Sequence, residues 1–171
     1  MNSLTIYRIL TYILIPIAAF FGLMDVLLLF PALANPAMWI MLFMFAAFVL
    51  YTFSSLKFLS SGIDRNQRCK PSLKDWIRVN AFVCIGMGCM FLLNALAILM
   101  MGPVGLQEMV EKAWESQPNL PVGLKPDLFV TMLKGVAIFM LIVSVLLLTH
   151  IRLSFKMLKT YTYLFRPATP E

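Results

Sequence analysis

The feature that most constrains this chain is a series of four long apolar runs. They extend from Ile9 to Phe30, from Met38 to Leu59, from Ile77 to Met101 and from Leu128 to Leu148. Each run has the roughly 20 residues that a helix needs to cross the hydrocarbon of a bilayer. Because a lipid-exposed backbone must satisfy its own hydrogen bonds, such runs predict membrane helices. We therefore predict an all-α, polytopic membrane protein built as an antiparallel bundle of four transmembrane helices.

The composition agrees with a membrane protein. Hydrophobic residues make up 61% of the 171 residues and charged residues 13%, whereas a soluble domain is roughly half apolar and a quarter charged. We predict one membrane domain over residues 1–171, and Pro31 and Pro36 are expected to end one helix and begin the next. The predicted spans are residues 8–30, 37–60, 75–101 and 127–152, with an inner loop at 61–74, an outer loop at 102–126 and a basic tail at 153–171.

The distribution of cations predicts the orientation. With four spans, 11 of the 14 lysine and arginine residues fall on one side, in or beside the termini and the loop 61–74. Only Lys112 and Lys125 lie in loops on the other side. Positive residues concentrate on the cytoplasmic side of membrane proteins. We therefore expect both termini in the cytoplasm and the protein in a bacterial inner membrane.

A signal peptide is an alternative interpretation of the first apolar run, with Ala32-Leu33-Ala34 as its cleavage site. The run has 22 residues and contains Asp25. The apolar core of a signal peptide is shorter, roughly 7–15 residues. We expect the run to remain as a membrane helix.

Three polar residues lie inside the predicted spans at a similar depth: Asp25, Asn94 and Lys134. Each is roughly 8–11 Å from the outer edge of the hydrocarbon, where an ionised side chain costs up to about 2.5–3.5 kcal/mol. One interpretation is a structural bridge between Asp25 and Lys134, with Asn94 as a hydrogen-bonding partner. The alternatives are separate snorkelling to the interface and an outward-facing site for an ion or a small polar headgroup.

Two further segments carry patterns. In the outer loop, apolar residues recur at helical spacing, which predicts a short amphipathic helix on the outer membrane surface or folded over the bundle as a lid. Its apolar residues are Leu106, Met109, Val110, Ala113 and Trp114. In the third span, Ala81, Cys84 and Gly88 are small residues that favour close helix packing.

The predicted inner side presents a basic surface. Cations near a membrane attract anionic lipid headgroups, and a protein partner is the alternative. The candidate lipid contacts are Arg65, Arg68, Lys70, Lys74, Arg152, Lys156 and Lys159.

The sequence contains no motif that predicts catalysis, metal binding or nucleotide binding. His150, the single histidine, lies at the inner end of the fourth span and is interpreted as an interfacial residue. We expect no enzyme, no cofactor, no metal site and no nucleic-acid partner. Our first hypothesis is a protein that acts through helix–helix association, as an accessory subunit or a homo-oligomer. The alternative is a small transporter or lipophilic-ligand-binding protein that uses Asp25, Asn94 and Lys134.

Overall fold

The structure, a computed structural model, describes the backbone of residues 3–115 and 126–165 and the side chains of 3–112 and 128–165. Within these residues the protein is all-helical and has no strand, which confirms the predicted all-α class. A π-helix at Phe58–Ile63 continues α2, and a 3-10 helix, Thr162–Phe165, follows the last helix. The five α-helices are α1 at Ser3–Ala34, α2 at Met38–Lys57, α3 at Pro71–Met100, α4 at Pro103–Glu115 and α5 at Pro126–Thr160.

Four helical segments of the described chain are long and apolar enough to cross a membrane, which indicates an integral membrane protein. They are Ser3–Ala34, Met38–Ile63, Pro71–Met100 and Leu128–Thr160. The helix α5 continues to Thr160 rather than ending near residue 152, because helical hydrogen bonding does not stop where hydrophobicity stops. Apolar runs mark the width of the bilayer, and polar residues extend a helix beyond it.

Pro31 does not end α1, contrary to expectation. It lies inside the helix, as does Pro16. The helix continues to Ala34, and the carbonyl of Pro31 accepts a hydrogen bond of 3.1 Å from the Asn35 backbone. The turn is formed instead by Asn35, whose side-chain oxygen accepts a 3.1 Å bond from the Ala37 N–H. Pro31 has no N–H for the carbonyl four residues earlier, and membrane helices tolerate such a break because other groups can satisfy the freed carbonyl.

The chain divides into two compact units, Met1–Met87 with Leu146–Glu171, and Gly88–Val145. In the first unit, α1 and α2 pack along each other. The Tyr7 hydroxyl donates to the Ser55 carbonyl at 3.4 Å, and the rings of Phe21 and Phe45 are 4.6 Å apart. The start of α1 thus meets the end of α2, so these two helices run in opposite directions. In the second unit, Ala95, Leu106, Ala137 and Val143 are among the buried side chains.

The segment 64–70, between the π-helix and α3, is fastened to the end of the chain. The Cys69 N–H donates to the Leu164 carbonyl at 2.8 Å, and the Phe58 and Phe165 rings stack at 5.3 Å. Gly62 is required where the segment crosses the π-helix, because a Cβ there would lie 2.9 Å from the Cys69 sulfur. The described end of the chain therefore holds this segment in place.

Candidate functional site

Asp25 lines an apolar groove between α1 and α2. The groove has a volume of about 430 Å³. Its lining residues are Asp25, Val26, Leu29, Trp39, Leu42, Phe43 and Ala46. Among these seven residues, Asp25 is the only one that carries a charge.

The helical spacing of the sequence explains the groove. On α2, Trp39, Phe43 and Ala46 follow one another at intervals of a helical turn and therefore share a face. Asp25 and Leu29 are four apart on α1 and share a face in the same way. The side chain of Ala46 is small, so it leaves space between the larger residues. Trp39 and Phe43 are half or more exposed, at 50% and 63%, so the groove opens sideways from the helix pair.

The carboxylate of Asp25 is poorly satisfied. Its Oδ1 is buried and has no hydrogen-bond partner among the described residues. Burying a charged oxygen without a partner costs several kcal/mol by order of magnitude. Such a group in a membrane span commonly marks a functional position.

The other two polar residues of the predicted cluster belong to the second unit. The Asn94 side-chain amide donates to the Met90 carbonyl of its own helix at 2.8 Å. Lys134 is exposed on α5. The bridge between Asp25 and Lys134 stays a prediction from the sequence.

The structure reveals a polar cluster that the sequence interpretation missed, centred on His150. This residue is fully buried within the protein. Thr11 Oγ1 lies 2.9 Å from its Nε2, and the Tyr51 hydroxyl lies 2.7 Å from its Nδ1. The Tyr7 ring stacks on the imidazole at 4.8 Å. Three helices, α1, α2 and α5, thus meet at one histidine ring.

The hydrogen bonds around His150 fit its neutral form. The Thr11 hydroxyl has one hydrogen, which it donates to the Tyr7 carbonyl at 2.7 Å. With that donation, Thr11 accepts from Nε2–H and Nδ1 accepts from the Tyr51 hydroxyl; when Thr11 donates to Nε2 instead, Nδ1–H donates to the Tyr51 oxygen. Both ring nitrogens are satisfied in the neutral state.

Two serine hydroxyls complete the surroundings of the His150 cluster. Ser55 and Ser154 are fully buried, and their hydroxyls lie beside the hydroxyls of Tyr7 and Tyr51. A signal for this cluster is present in the sequence: Tyr7 and Thr11, Tyr51 and Ser55, and His150 and Ser154 are three pairs at i and i+4. Each pair places two hydrogen-bonding side chains on one helix face near the same predicted membrane level.

The small residues of α3 are covered. Ala81 and Cys84 are completely buried, and Gly88 is buried as well. This side of the helix already packs within the chain, so it offers little surface to a second molecule.

The predicted lipid contacts are mostly exposed. Arg65, Arg68, Lys70, Arg152, Lys156 and Lys159 are exposed, and Lys74 is half-buried. The Lys74 ammonium lies 5.9 Å from the centre of the Phe165 ring. Arg68 and Lys70 of this set line a pocket.

Neither metal-site geometry nor comparison with known proteins identifies the chain. In the described segments, no group of three or more histidine, cysteine, aspartate or glutamate residues is arranged to hold a metal ion. No known protein family matches the chain, and no curated protein or solved structure is detectably similar to it.

Proposed function

We propose that this chain is a non-enzymatic membrane protein that binds an amphiphilic organic cation in the groove between α1 and α2. The observation that carries the proposal is the Asp25 carboxylate, a single charge in an otherwise apolar groove. One of its oxygens is buried without a partner among the described residues. A ligand with one positive charge on an apolar body complements both features.

The chemistry of the lining favours a cation over an anion or a neutral apolar molecule. An anion would be repelled by the carboxylate, and a neutral apolar molecule would leave it without a partner. A cation offsets the cost of the buried oxygen. The Trp39 and Phe43 rings add to this selectivity, because aromatic faces attract ammonium and related cations within about 6 Å.

In the proposed topology, the groove lies in the outer half of the membrane. Four antiparallel helices span the bilayer, the termini lie in the cytoplasm of a bacterium, and α4 lies on the outer surface as an amphipathic helix. The burial of Leu106 and Val110 beside exposed Glu108 and Glu111 supports this role for α4. The ligand then enters sideways, from the outer leaflet.

The experiment is equilibrium binding of tetraphenylphosphonium to the purified protein in a nonionic detergent. Asp25→Asn keeps the side-chain shape and removes the charge, so binding should weaken by roughly tenfold or more, the equivalent of about 1.4 kcal/mol. Asp75→Asn is the matched control, because Asp75 is exposed and lies outside the groove. Equal binding by the wild type and Asp25→Asn contradicts the proposal.

Association with a second membrane helix is the second candidate, in which the chain acts as an accessory subunit or a homo-oligomer. Gly86 favours it: the residue is exposed on α3, and an added Cβ would meet no atom within 4 Å. Phe82 and Val79 are exposed on the same helix. A glycine beside larger apolar residues allows a second helix to pack closely against α3. Native mass spectrometry of the wild type and Gly86→Leu tests it. A monomer in both, without a co-purifying partner, removes this candidate.

A further inference from the structure

A second pocket lies where α2 ends and α3 begins, and it differs from the Asp25 groove in being basic. Its volume is about 530 Å³. Three cations contribute to its wall: Lys57, Arg68 and Lys70. The remaining lining residues are Leu50, Ser54, Ser61, Gln67, Cys69, Ser72, Leu73 and Trp76.

The cations of this basic pocket have no acidic partner in the part of the chain that the structure describes. Outside the pocket, Arg8 and Asp64 form an ion pair with an N–O distance of 2.5 Å. Asp64 is the acidic residue nearest in sequence to Arg68, and its carboxylate is engaged by Arg8. No carboxylate lines the pocket. Asp75 lines a neighbouring pocket with Ser72 and Trp76, so three positive charges face one space that no carboxylate lines.

The neutral part of the wall also favours an anion. Ser72 lies in the first turn of α3, a helix of 30 residues, and the amino end of a helix carries a partial positive charge. Ser54 and Ser61 belong to α2 and the π-helix, one on each side of Lys57 in the sequence. Their hydroxyls can donate hydrogen bonds to phosphate oxygens.

The far end of the basic pocket is apolar. Leu50 and Trp76 are 45% and 54% exposed, and both lie within segments that can span a membrane. Leu50 is seven residues from Lys57, which is roughly 10 Å along the helix. A soluble anion would make no favourable contact with this apolar end, whereas the upper part of an acyl chain can pack against it.

We infer that the basic pocket binds one anionic phospholipid, with its phosphate groups among Lys57, Arg68 and Lys70 and an acyl chain along Leu50 and Trp76. Three cations match a headgroup with two negative charges better than one with a single charge. Such a headgroup carries either a phosphomonoester or two phosphodiesters. This inference does not rest on the cation site at Asp25, since the two pockets share no residue.

Cys69 provides a probe inside the basic pocket. The thiol is partly buried there, Cys84 is fully buried, and Cys89 is exposed. In a Cys89→Ala background, a water-soluble maleimide therefore reports on Cys69. The experiment titrates phosphatidic acid, cardiolipin, phosphatidylglycerol or phosphatidylcholine into the protein in nonionic detergent micelles. The fractional slowing of Cys69 alkylation, relative to the lipid-free rate, measures occupancy.

We expect phosphatidic acid and cardiolipin to protect Cys69 at lower concentrations than phosphatidylglycerol, and phosphatidylcholine not to protect it. The double variant Lys57→Gln/Arg68→Gln should weaken protection by about thirty-fold, the effect of two surface cations. Its matched control is Arg65→Gln/Lys156→Gln, which removes the same charges from exposed residues outside the pocket. Arg65 and Lys156 are predicted lipid contacts of the basic surface but do not line this pocket, so lipid should protect Cys69 in the control as it does in the wild type.

Two results overturn the inference. One is equal weakening in both double variants, which would mean diffuse attraction to the whole basic surface. The other is protection by inorganic phosphate at the concentrations at which lipid protects, which would assign the pocket to a soluble anion. The same titration followed by native mass spectrometry counts the bound lipids, and the inference requires that the double variant lose one.

Discussion

The hydroxyl of Tyr51 and Nδ1 of His150 share a hydrogen bond of 2.7 Å. It joins α2 to α5 in the interior of the first unit, while Thr11 joins α1 to the same ring at 2.9 Å. In hydrocarbon there is little hydrophobic force between helices, so such polar contacts help to specify which helices are neighbours. We therefore interpret the His150 cluster as a structural element that fixes α1, α2 and α5 as neighbours.

Tyr51→Phe tests this structural role of the His150 cluster. The substitution keeps the ring but leaves Nδ1 of His150 without its hydrogen-bond partner, and an unsatisfied buried polar group costs about 1–3 kcal/mol. We expect a lower thermal unfolding temperature in detergent. Tyr12→Phe is the matched control, because Tyr12 is an exposed tyrosine on α1. An unchanged unfolding temperature in Tyr51→Phe would show that the hydrogen bond to His150 does not contribute to stability.

Gly62→Ala should destabilise the segment 64–70. The added Cβ would lie 2.9 Å from the Cys69 sulfur and 3.2 Å from the Phe58 ring. Overpacking of this kind costs about 1–3 kcal/mol, and moving Cys69 outward should speed its alkylation. Gly86→Ala is the control, since its Cβ meets nothing within 4 Å and alanine favours a helix over glycine by about 1 kcal/mol. Equal stability of the two variants would contradict the close approach at Gly62.

The reactivity of Cys69 should depend on pH in a way set by its surroundings. Burial raises the pKa of the Cys69 thiol, and the charge of Lys57 opposes that rise. Because the thiolate is the reactive form, alkylation near neutral pH should be slower than for the same cysteine in the denatured chain. The rate should then keep rising at pH values where the denatured chain has levelled off. Lys57→Gln should move the rise to still higher pH, and a shift to lower pH would contradict this.

The sequence predicted the helical class and the number of long apolar segments, because hydrophobic length is a direct consequence of bilayer thickness. It also singled out Asp25, since an acid in an apolar run is conspicuous. It did not predict the groove, which depends on how the α1 face with Leu29 meets the α2 face with Trp39. Nor did it predict the His150 cluster, whose pairs are separated along the chain and become visible only when three helices are brought together. Lys57 was overlooked as a pocket residue because it belongs to a span rather than to the basic loop.

The most direct test of the cation site compares two ions of matched shape and opposite charge, tetraphenylphosphonium and tetraphenylborate. Their equilibrium binding is measured by titration calorimetry on the wild type and Asp25→Asn in the same nonionic detergent. We predict that the wild type prefers the phosphonium and that Asp25→Asn loses this preference by weakening the phosphonium alone. Equal affinity of the wild type for both ions, or a preference for the phosphonium that survives in Asp25→Asn, would contradict the proposed site.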